Sequence, residues 1–199
     1  MPCICPVEGL PKVFFHTDLG TYTNKNLQVP DYLRLLAFKA ISNIPKHAMK
    51  IFTDGSKNDL SQTGSGIFIE NHSLKLSRRN PDNCSVFRSK LIAIDVGLET
   101  ILSDTGSEDI WILSDSRSAI QHLQNCHQVS DQVGLQILEK LKHMSQKRDT
   151  QIQWIPSHVN VSGNEIADLL AKRGSIETLT SLDSFTFQEI SSVWNRNCK

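Results

Sequence analysis

Three aspartates occupy comparable places along the chain, and together they could hold divalent metal ions. Asp54 and Asp115 each end an apolar segment typical of a strand, and Asp168 lies in the first turns of the last predicted helix. In a sheet with helical crossovers, strand ends open into the crevice where ligands bind. Carboxylates gathered there repel one another unless a cation or a shared proton relieves them, and Mg²⁺ prefers such oxygen ligands. Two such ions could activate water and stabilise the leaving oxygen of a phosphodiester.

Each aspartate, taken alone, also has a purely structural explanation. Asp54 precedes a Gly-Ser pair and suits a turn. Asp115 could be the N-cap of the next helix, and Asp168 could be a solvated helix residue. Only their joint pattern favours a metal site over these readings.

The elements that must position these residues follow the order βββ-α-β-α-α-β-α. Alternating or continuous apolar runs predict strands at 50–54, 66–70, 73–77, 110–113 and 152–155. Apolar stripes at helical spacing predict helices at 85–102, 116–125, 131–146 and 162–173. Strands on short connections pair antiparallel, and strands reached by helical crossovers run parallel. The sequence therefore predicts an α/β fold with a mixed five-stranded sheet, three antiparallel strands plus two parallel, and helices on both faces.

The pattern divides the 199-residue chain into three parts. Residues 1–49 read as a linker or the end of an upstream module, with one amphipathic helix from Pro30 to Ser42 that Pro45 stops. Residues 50–174 carry the predicted domain. Residues 175–199 form a polar extension that ends in a short apolar stretch from Phe185 to Trp194.

Composition narrows the class of protein and its compartment. A formal net charge of zero argues against a large basic field for nucleic acid, although it does not exclude buried acidic ligands. No apolar run approaches the ~20 residues of a membrane span, and the N-terminus lacks a secretory layout. We expect an intracellular monomer, cytoplasmic or nuclear, with reduced thiols. Its cysteines are Cys3, Cys5, Cys84, Cys126 and Cys198.

Four sequence blocks, in order and at matching spacing, resemble the type 1 ribonuclease H family, especially its non-LTR retrotransposon-like branch. They are FTDGS at 52–56, SVFRSKLIAI at 85–94, LSDSRSA at 113–119 and WIPSHVNVSGNEIAD at 154–168. The last block is the most specific, because the His-to-Asp distance and the Gly-Asn-Glu-x-Ala-Asp string both fit. The resemblance implies a ribonuclease H-like domain that acts on RNA–DNA hybrids, next to an upstream or fused reverse transcriptase.

The resemblance also implies a role for each matching residue, with Mg²⁺ or Mn²⁺ as the cofactor. Asp54 would bridge two metal ions, and Asp115 would hold the ion on the leaving-group side. Asp168 would complete the coordination of the ion that activates water. His158 would assist proton transfer or product departure. Apart from the resemblance, Ser56 and Ser116 lie beside the predicted site, and their hydroxyls could contact the substrate.

One residue departs from the family pattern. The first helix of the domain should present a glutamate to the metal site at the position of Lys90. Asp95 and Glu99 lie about 140° and 180° around the helix, so neither can replace it. A lysine at this substrate-site position takes one oxygen ligand from the ion on the leaving-group side and gives that ion a cationic neighbour, so the occupancy of the ion should fall. It also weakens discrimination of the ribose 2′-hydroxyl. The sequence thus leaves two functions open, an impaired ribonuclease or a cleavage-deficient nucleic-acid-binding remnant.

Two further features have alternative explanations. Glu165, three residues after Ser162, fits a capping box, and we assign it that structural role. A run of basic residues on or near one helix could contact phosphates or simply form a solvated face. The run comprises Lys140, Lys142, His143, Lys147 and Arg148.

Overall fold

A computed structural model describes residues 10–20, 29–104 and 106–178. Its strands are β1 (Val13–His16), β2 (Met49–Lys57), β3 (Thr63–Ile69), β4 (Leu74–Arg79), β5 (Ile110–Ser114) and β6 (Thr150–Trp154). Its α-helices are α1 (Pro30–Ser42), α2 (Val86–Ile101), α3 (Arg117–Gln124), α4 (Gln132–Ser145) and α5 (Ser162–Ile176), and a short 3₁₀ helix spans Cys126–Gln128. Residues 1–9, 21–28, 105 and 179–199, which include Cys3, Cys5, Cys198 and the Phe185–Trp194 stretch, lie outside the described residues.

The described strands form one mixed sheet in the order β1-β6-β5-β2-β3-β4. β2, β3 and β4 pair antiparallel, while β5 runs parallel to β2 and to β6. This confirms the predicted α/β architecture, but the sheet has six strands in the described chain rather than five. The additional strand is β1, which pairs parallel with β6 from Val13↔Thr150 to His16↔Gln153. Four residues are too few to show a strand period in the sequence.

Helices cover both faces of the sheet, because side chains alternate between two apolar clusters along each central strand. Ile51 and Ile112 join the cluster formed with α2, α3 and α4. Phe52 and Leu113 join the cluster formed with α1 and α5. Each fully buried side chain of this kind contributes about 1.5–3 kcal/mol. The residues before Lys50 therefore contribute both a strand and a helix to the packed fold.

The path of β2 differs from the sequence prediction at one point. We predicted a break at Asp54-Gly55-Ser56, yet β2 continues through Lys57 and pairs Asp54 with Gly66 and Ser56 with Gly64 of β3. The turn reading of Asp54 is therefore wrong. The glycine serves helix packing instead, since a Cβ at Gly55 would lie 2.4 Å from Ser89 Oγ and 2.6 Å from Lys90 N.

Helix α5 crosses β3 so closely that substitution of Gly66 should destabilise the domain. A Cβ at Gly66 would lie 2.1 Å from Ala167 O and 2.4 Å from Ala171 N, both backbone atoms that cannot move independently. We expect Gly66→Ala to lower the free energy of unfolding by about 1–3 kcal/mol, measured by urea denaturation. Gly97→Ala is the control, because its nearest contact would be the flexible Ile51 Cγ2 at 3.2 Å. Equal stability of the two variants would contradict this packing.

The cysteines and the helix lengths of the described residues bear on disulfide formation and on membrane spans. Neither of the cysteines there, Cys84 or Cys126, forms a disulfide. Within the same ranges, every helix is too short or too polar to cross a bilayer.

Candidate active site

Strand register brings Asp54 and Asp115 side by side. Thr53 of β2 is the register partner of Ser114 of β5 in a parallel pair. The next residue of each strand is the aspartate, so both carboxylates emerge at the carboxyl end of the same two strands. Both are almost completely buried, with side-chain exposures of 7% and 8%. Asp115 does not cap α3, because that helix begins after Ser116, whose hydroxyl accepts a hydrogen bond from Ala119 N.

Lys90 lies between these two carboxylates. Its Nζ is 2.8 Å from Asp54 Oδ1 and 2.5 Å from Asp115 Oδ1. The close approach of α2 to β2 over Gly55 holds Lys90 there. Asp95 and Glu99 face away from this cleft, as the helical geometry predicted, since both pair with Lys140 of α4.

The electrostatics of the three buried groups are strongly coupled. Burial, followed by the charge of Asp115, raises the pKa of Asp54 from 3.8 to about 6, against the lowering influence of Lys90. Burial alone would lower the pKa of Lys90, but the charges of Asp115 and Asp54 and the hydrogen bonds that it donates to both outweigh burial and raise it. The ammonium therefore stays protonated at neutral pH and neutralises part of the acidic charge.

Helix α5 brings Asp168 to the same end of the sheet. Gly66 is the register partner of Asp54, and the carbonyl of Ala167 lies against Gly66. Asp168 follows directly, with a side-chain exposure of 13%. Its carboxylate forms a group with His158 and Glu165 in which one ligand atom from each residue lies within 4.8 Å of the other two. The structure thus brings all four proposed catalytic residues to one end of the sheet.

Glu165 belongs to this group rather than to a capping box. In the described chain α5 begins at Ser162 after Val161, and no side chain caps that terminus. Our assignment of Glu165 to a structural cap is therefore wrong. The missed signal was its spacing from Asp168, because residues three apart share one helical face.

A tryptophan of β6 fixes the backbone beside Asp115. Trp154 is buried, and its Nε1 donates a hydrogen bond to Asp115 O at 3.2 Å. The guanidinium of Arg117 lies 3.9 Å from the centre of the indole ring, a cation–π distance. His158 follows β6 on an exposed loop with a left-handed backbone, φ 56°. β6 therefore supports both sides of the cleft.

The predicted binding residues have different surroundings. Ser56 is half-buried on β2, two residues beyond Asp54. Ser116 is buried, and its hydroxyl also contacts Ser118 Oγ at 3.2 Å. Of the basic run, Lys140 is held by Asp95 and Glu99, and Arg148 is buried beside Asp104. These two cations therefore pair with acidic groups of the fold itself.

The mixed sheet and its acidic cleft define an α/β domain of the ribonuclease H type. A family model for RNase H matches residues 46–176, which is well over half of the chain. The chain belongs to the ribonuclease H family. This membership places it among ribonucleases that bind RNA–DNA hybrids, in a family that generally uses divalent metals.

The two ends of the cleft differ in how well they suit a divalent cation. At the α5 end, oxygen and imidazole ligands of Asp168, Glu165 and His158 converge, and such donors suit a hard cation. At the Asp115 end, the ammonium of Lys90 already lies at hydrogen-bond distance from both carboxylates. The residues present fit one cation near Asp168, where the only ammonium in contact among the described residues is that of the exposed Lys172. A second cation beside Asp115 would have to displace the buried Lys90.

Proposed function

We propose that this chain hydrolyses the RNA strand of RNA–DNA hybrids at the acidic cleft, with Mg²⁺ or Mn²⁺ as cofactor and with a rate lowered by Lys90. The observation that supports the proposal is the convergence of Asp54, Asp115 and Asp168, distant in sequence, at one end of the sheet. Burial and repulsion by Asp115 raise the pKa of Asp54, so the cleft favours positive charge, and Lys90 supplies it to Asp54 and Asp115.

The proposed roles of the residues follow from their positions. Asp168 and Asp54 would hold the cation, with Glu165 and His158 within reach, and a cation there would supply an activated water at neutral pH. Lys90 would stand in for the second cation beside Asp115, where its charge offsets that of the leaving oxygen. His158, exposed on its loop, would exchange a proton with the departing product. Ser56 and Ser116 would contact the substrate backbone.

A second function, hybrid binding without cleavage, is favoured by one observation. The Lys90 ammonium occupies one oxygen of Asp54 and one of Asp115. An ammonium is neither a Lewis acid nor a source of an activated water, so the Asp115 side would contribute binding alone. The domain would then be a catalytically deficient remnant of a retroelement polyprotein.

One experiment separates the two functions. The native chain is mixed with a hybrid whose RNA and DNA strands carry different labels, in Mg²⁺ and in EDTA, with duplex DNA of the same sequence as control. Binding is measured alongside by fluorescence anisotropy. Cleavage of the RNA strand only, and only with Mg²⁺, supports the enzyme. Hybrid binding without cleavage supports the second function. A chain that neither binds nor cleaves the hybrid would refute both proposals.

We also propose an upstream partner for this chain and a role for each of its segments. The likeness of the sequence blocks to retroelement domains is the basis for proposing an upstream reverse transcriptase as a partner. We likewise propose a monomer in solution, in which residues 50–174 carry the catalytic site and 175–199 form an extension. Residues 1–49, whose β1 and α1 pack against the domain, would join it to the upstream module. Coexpression of a polymerase module with this chain, followed by size-exclusion chromatography, would test that association.

A further inference from the structure

A second lysine contacts the cleft from the side opposite Lys90. Lys172 Nζ lies 2.6 Å from Asp168 Oδ2, four residues earlier on α5. The hydrogen bond to Asp168 raises the pKa of Lys172 most, and the charges of Asp168, Asp54 and Glu165 add to it. The ammonium of Lys172 is therefore at the rim of the cleft, within the field of three of its carboxylates.

The two lysines differ in how readily they can leave. The side chain of Lys90 is 16% exposed and contacts two buried carboxylates at once. The side chain of Lys172 is 57% exposed and contacts one carboxylate, that of Asp168, which is itself only 13% exposed. Water solvates an ammonium at this exposure well, so this pair separates more easily than one that is buried on both sides. Lys90 is a fixed counter-charge, whereas the ammonium of Lys172 can rotate into water. Its departure leaves the largely buried carboxylate of Asp168 without this partner, so a cation is then favoured there.

Resting on the proposed function, we propose that Lys172 is a releasable counter-ion of Asp168 that moves to a backbone phosphate when nucleic acid binds. A phosphodiester entering the cleft offers the ammonium an alternative anionic partner, since Lys binds phosphate as a compact point charge. Its departure frees Oδ2 of Asp168 for a divalent cation. Nucleic acid and cation thus bind cooperatively, and each raises the affinity for the other by the same factor.

The chain offers a matched control on the same helix. Arg173 forms an (i, i+4) pair with Glu177, and its side chain is 72% exposed. It is therefore a surface cation of similar exposure whose carboxylate partner is not one of the cleft residues. Lys172→Ala and Arg173→Ala remove the same charge from neighbouring positions, so net charge and non-specific attraction change equally.

Two measurements test the proposal on the whole chain. The first is the dependence of hybrid affinity on NaCl concentration in EDTA, for which Lys172→Ala should reduce the log–log slope by about 0.9. The second is Mn²⁺ affinity by electron paramagnetic resonance, with and without a hybrid made uncleavable by 2′-O-methyl substitution. Without hybrid, Lys172→Ala should bind Mn²⁺ more tightly, by a factor near the lower end of the ~5–150-fold typical of coupled sites.

The hybrid should strengthen Mn²⁺ binding to the native chain and to Arg173→Ala, but not to Lys172→Ala. Circular dichroism checks that each variant is folded. If Lys172→Ala keeps the native salt slope and the native Mn²⁺ affinity while the native chain binds hybrid, the role of Lys172 is refuted and the proposed function stands. If the native chain binds no hybrid, the proposed function fails and the inference with it.

Discussion

Lys90→Glu is expected to make the folding of this domain depend on divalent cations. The native ammonium lies 2.8 Å from Asp54 Oδ1 and 2.5 Å from Asp115 Oδ1, and all three side chains are largely buried. A glutamate would put a third carboxylate against the first two. Loss of a buried pairing partner typically costs about 3–5 kcal/mol, so the variant in EDTA should lose that much stability or more. Added Mg²⁺ should restore it, because a ligand that binds only the folded state stabilises that state.

The same substitution should raise RNA cleavage in Mg²⁺. It restores an oxygen ligand beside Asp115 and removes the ammonium that a second cation must displace. Metal catalysis supplies several kcal/mol of transition-state stabilisation, and each 1.36 kcal/mol is tenfold in rate. We expect an increase of roughly two orders of magnitude or more, measured as single-turnover cleavage of an RNA-labelled hybrid at saturating Mg²⁺.

Two control variants make this result specific. Lys90→Met removes the charge without adding a ligand, so it should be destabilised, rescued less by Mg²⁺ and unable to raise cleavage. Lys140 forms a comparable pair of contacts, with Asp95 and Glu99, away from the cleft. Lys140→Glu should therefore lower stability without raising cleavage. Equal cleavage by Lys90→Glu and the native chain, with both folded in Mg²⁺, would show that Lys90 is not the defect.

The parts of the fold that the sequence predicts are those with local periodicity. The alternation of Ile51 and Phe52 between the two cores, and the continuous apolar run of β5, follow from side-chain period and two-sided burial. Helix bounds were within one residue at α2, α3 and α4, because Ser85, Ser116 and Asp131 cap them as their residue types suggest.

The errors arose where a distant contact overrides a local signal. Asp54-Gly55-Ser56 has the composition of a turn, but Gly55 is needed for the approach of α2, more than thirty residues later. Glu165 has the spacing of a capping box, yet it lies with His158 and Asp168. The motifs also do not specify how β2 and β5 are aligned. The pairing of Thr53 with Ser114 puts Asp54 next to Asp115. Lys172 gave no signal, because a lysine four residues after an aspartate is common on exposed helices.

Asp54→Asn is expected to abolish cleavage while leaving the fold at least as stable as the native one. Asp54 lies between the two ends of the cleft, since it contacts Lys90 and its charge also acts on Lys172. An amide keeps the shape but replaces a charged oxygen ligand with a neutral one, which holds Mg²⁺ more weakly. Loss of a group that stabilises the developing charge lowers the rate by roughly 10²–10³-fold. We expect loss of the metal ligand Asp54 to lower the cleavage rate by at least this factor.

The stability of this variant follows from the sign of the pKa shift. The pKa of Asp54 is raised from 3.8 to about 6 on folding, first by burial and then by Asp115. A carboxyl group with a raised folded pKa loses stability as pH rises from near 4 to near 6, because ionisation is easier in the unfolded chain. Asn cannot ionise, so the variant should gain relative to the native chain across that window, in EDTA. Lys90 keeps Asp115 as a buried partner.

Urea denaturation at pH 4 and pH 7, together with hybrid cleavage in Mg²⁺, measures both effects. Asp59→Asn is the control, because Asp59 is exposed in the β2–β3 connection and should change neither quantity. Cleavage by Asp54→Asn at the native rate would remove Asp54 from the site. A large loss of stability at pH 7 would instead mean that the Asp54–Lys90 pair stabilises the fold by more than burial of the carboxylate opposes it. Either result would require a different explanation for an ammonium held between two buried aspartates.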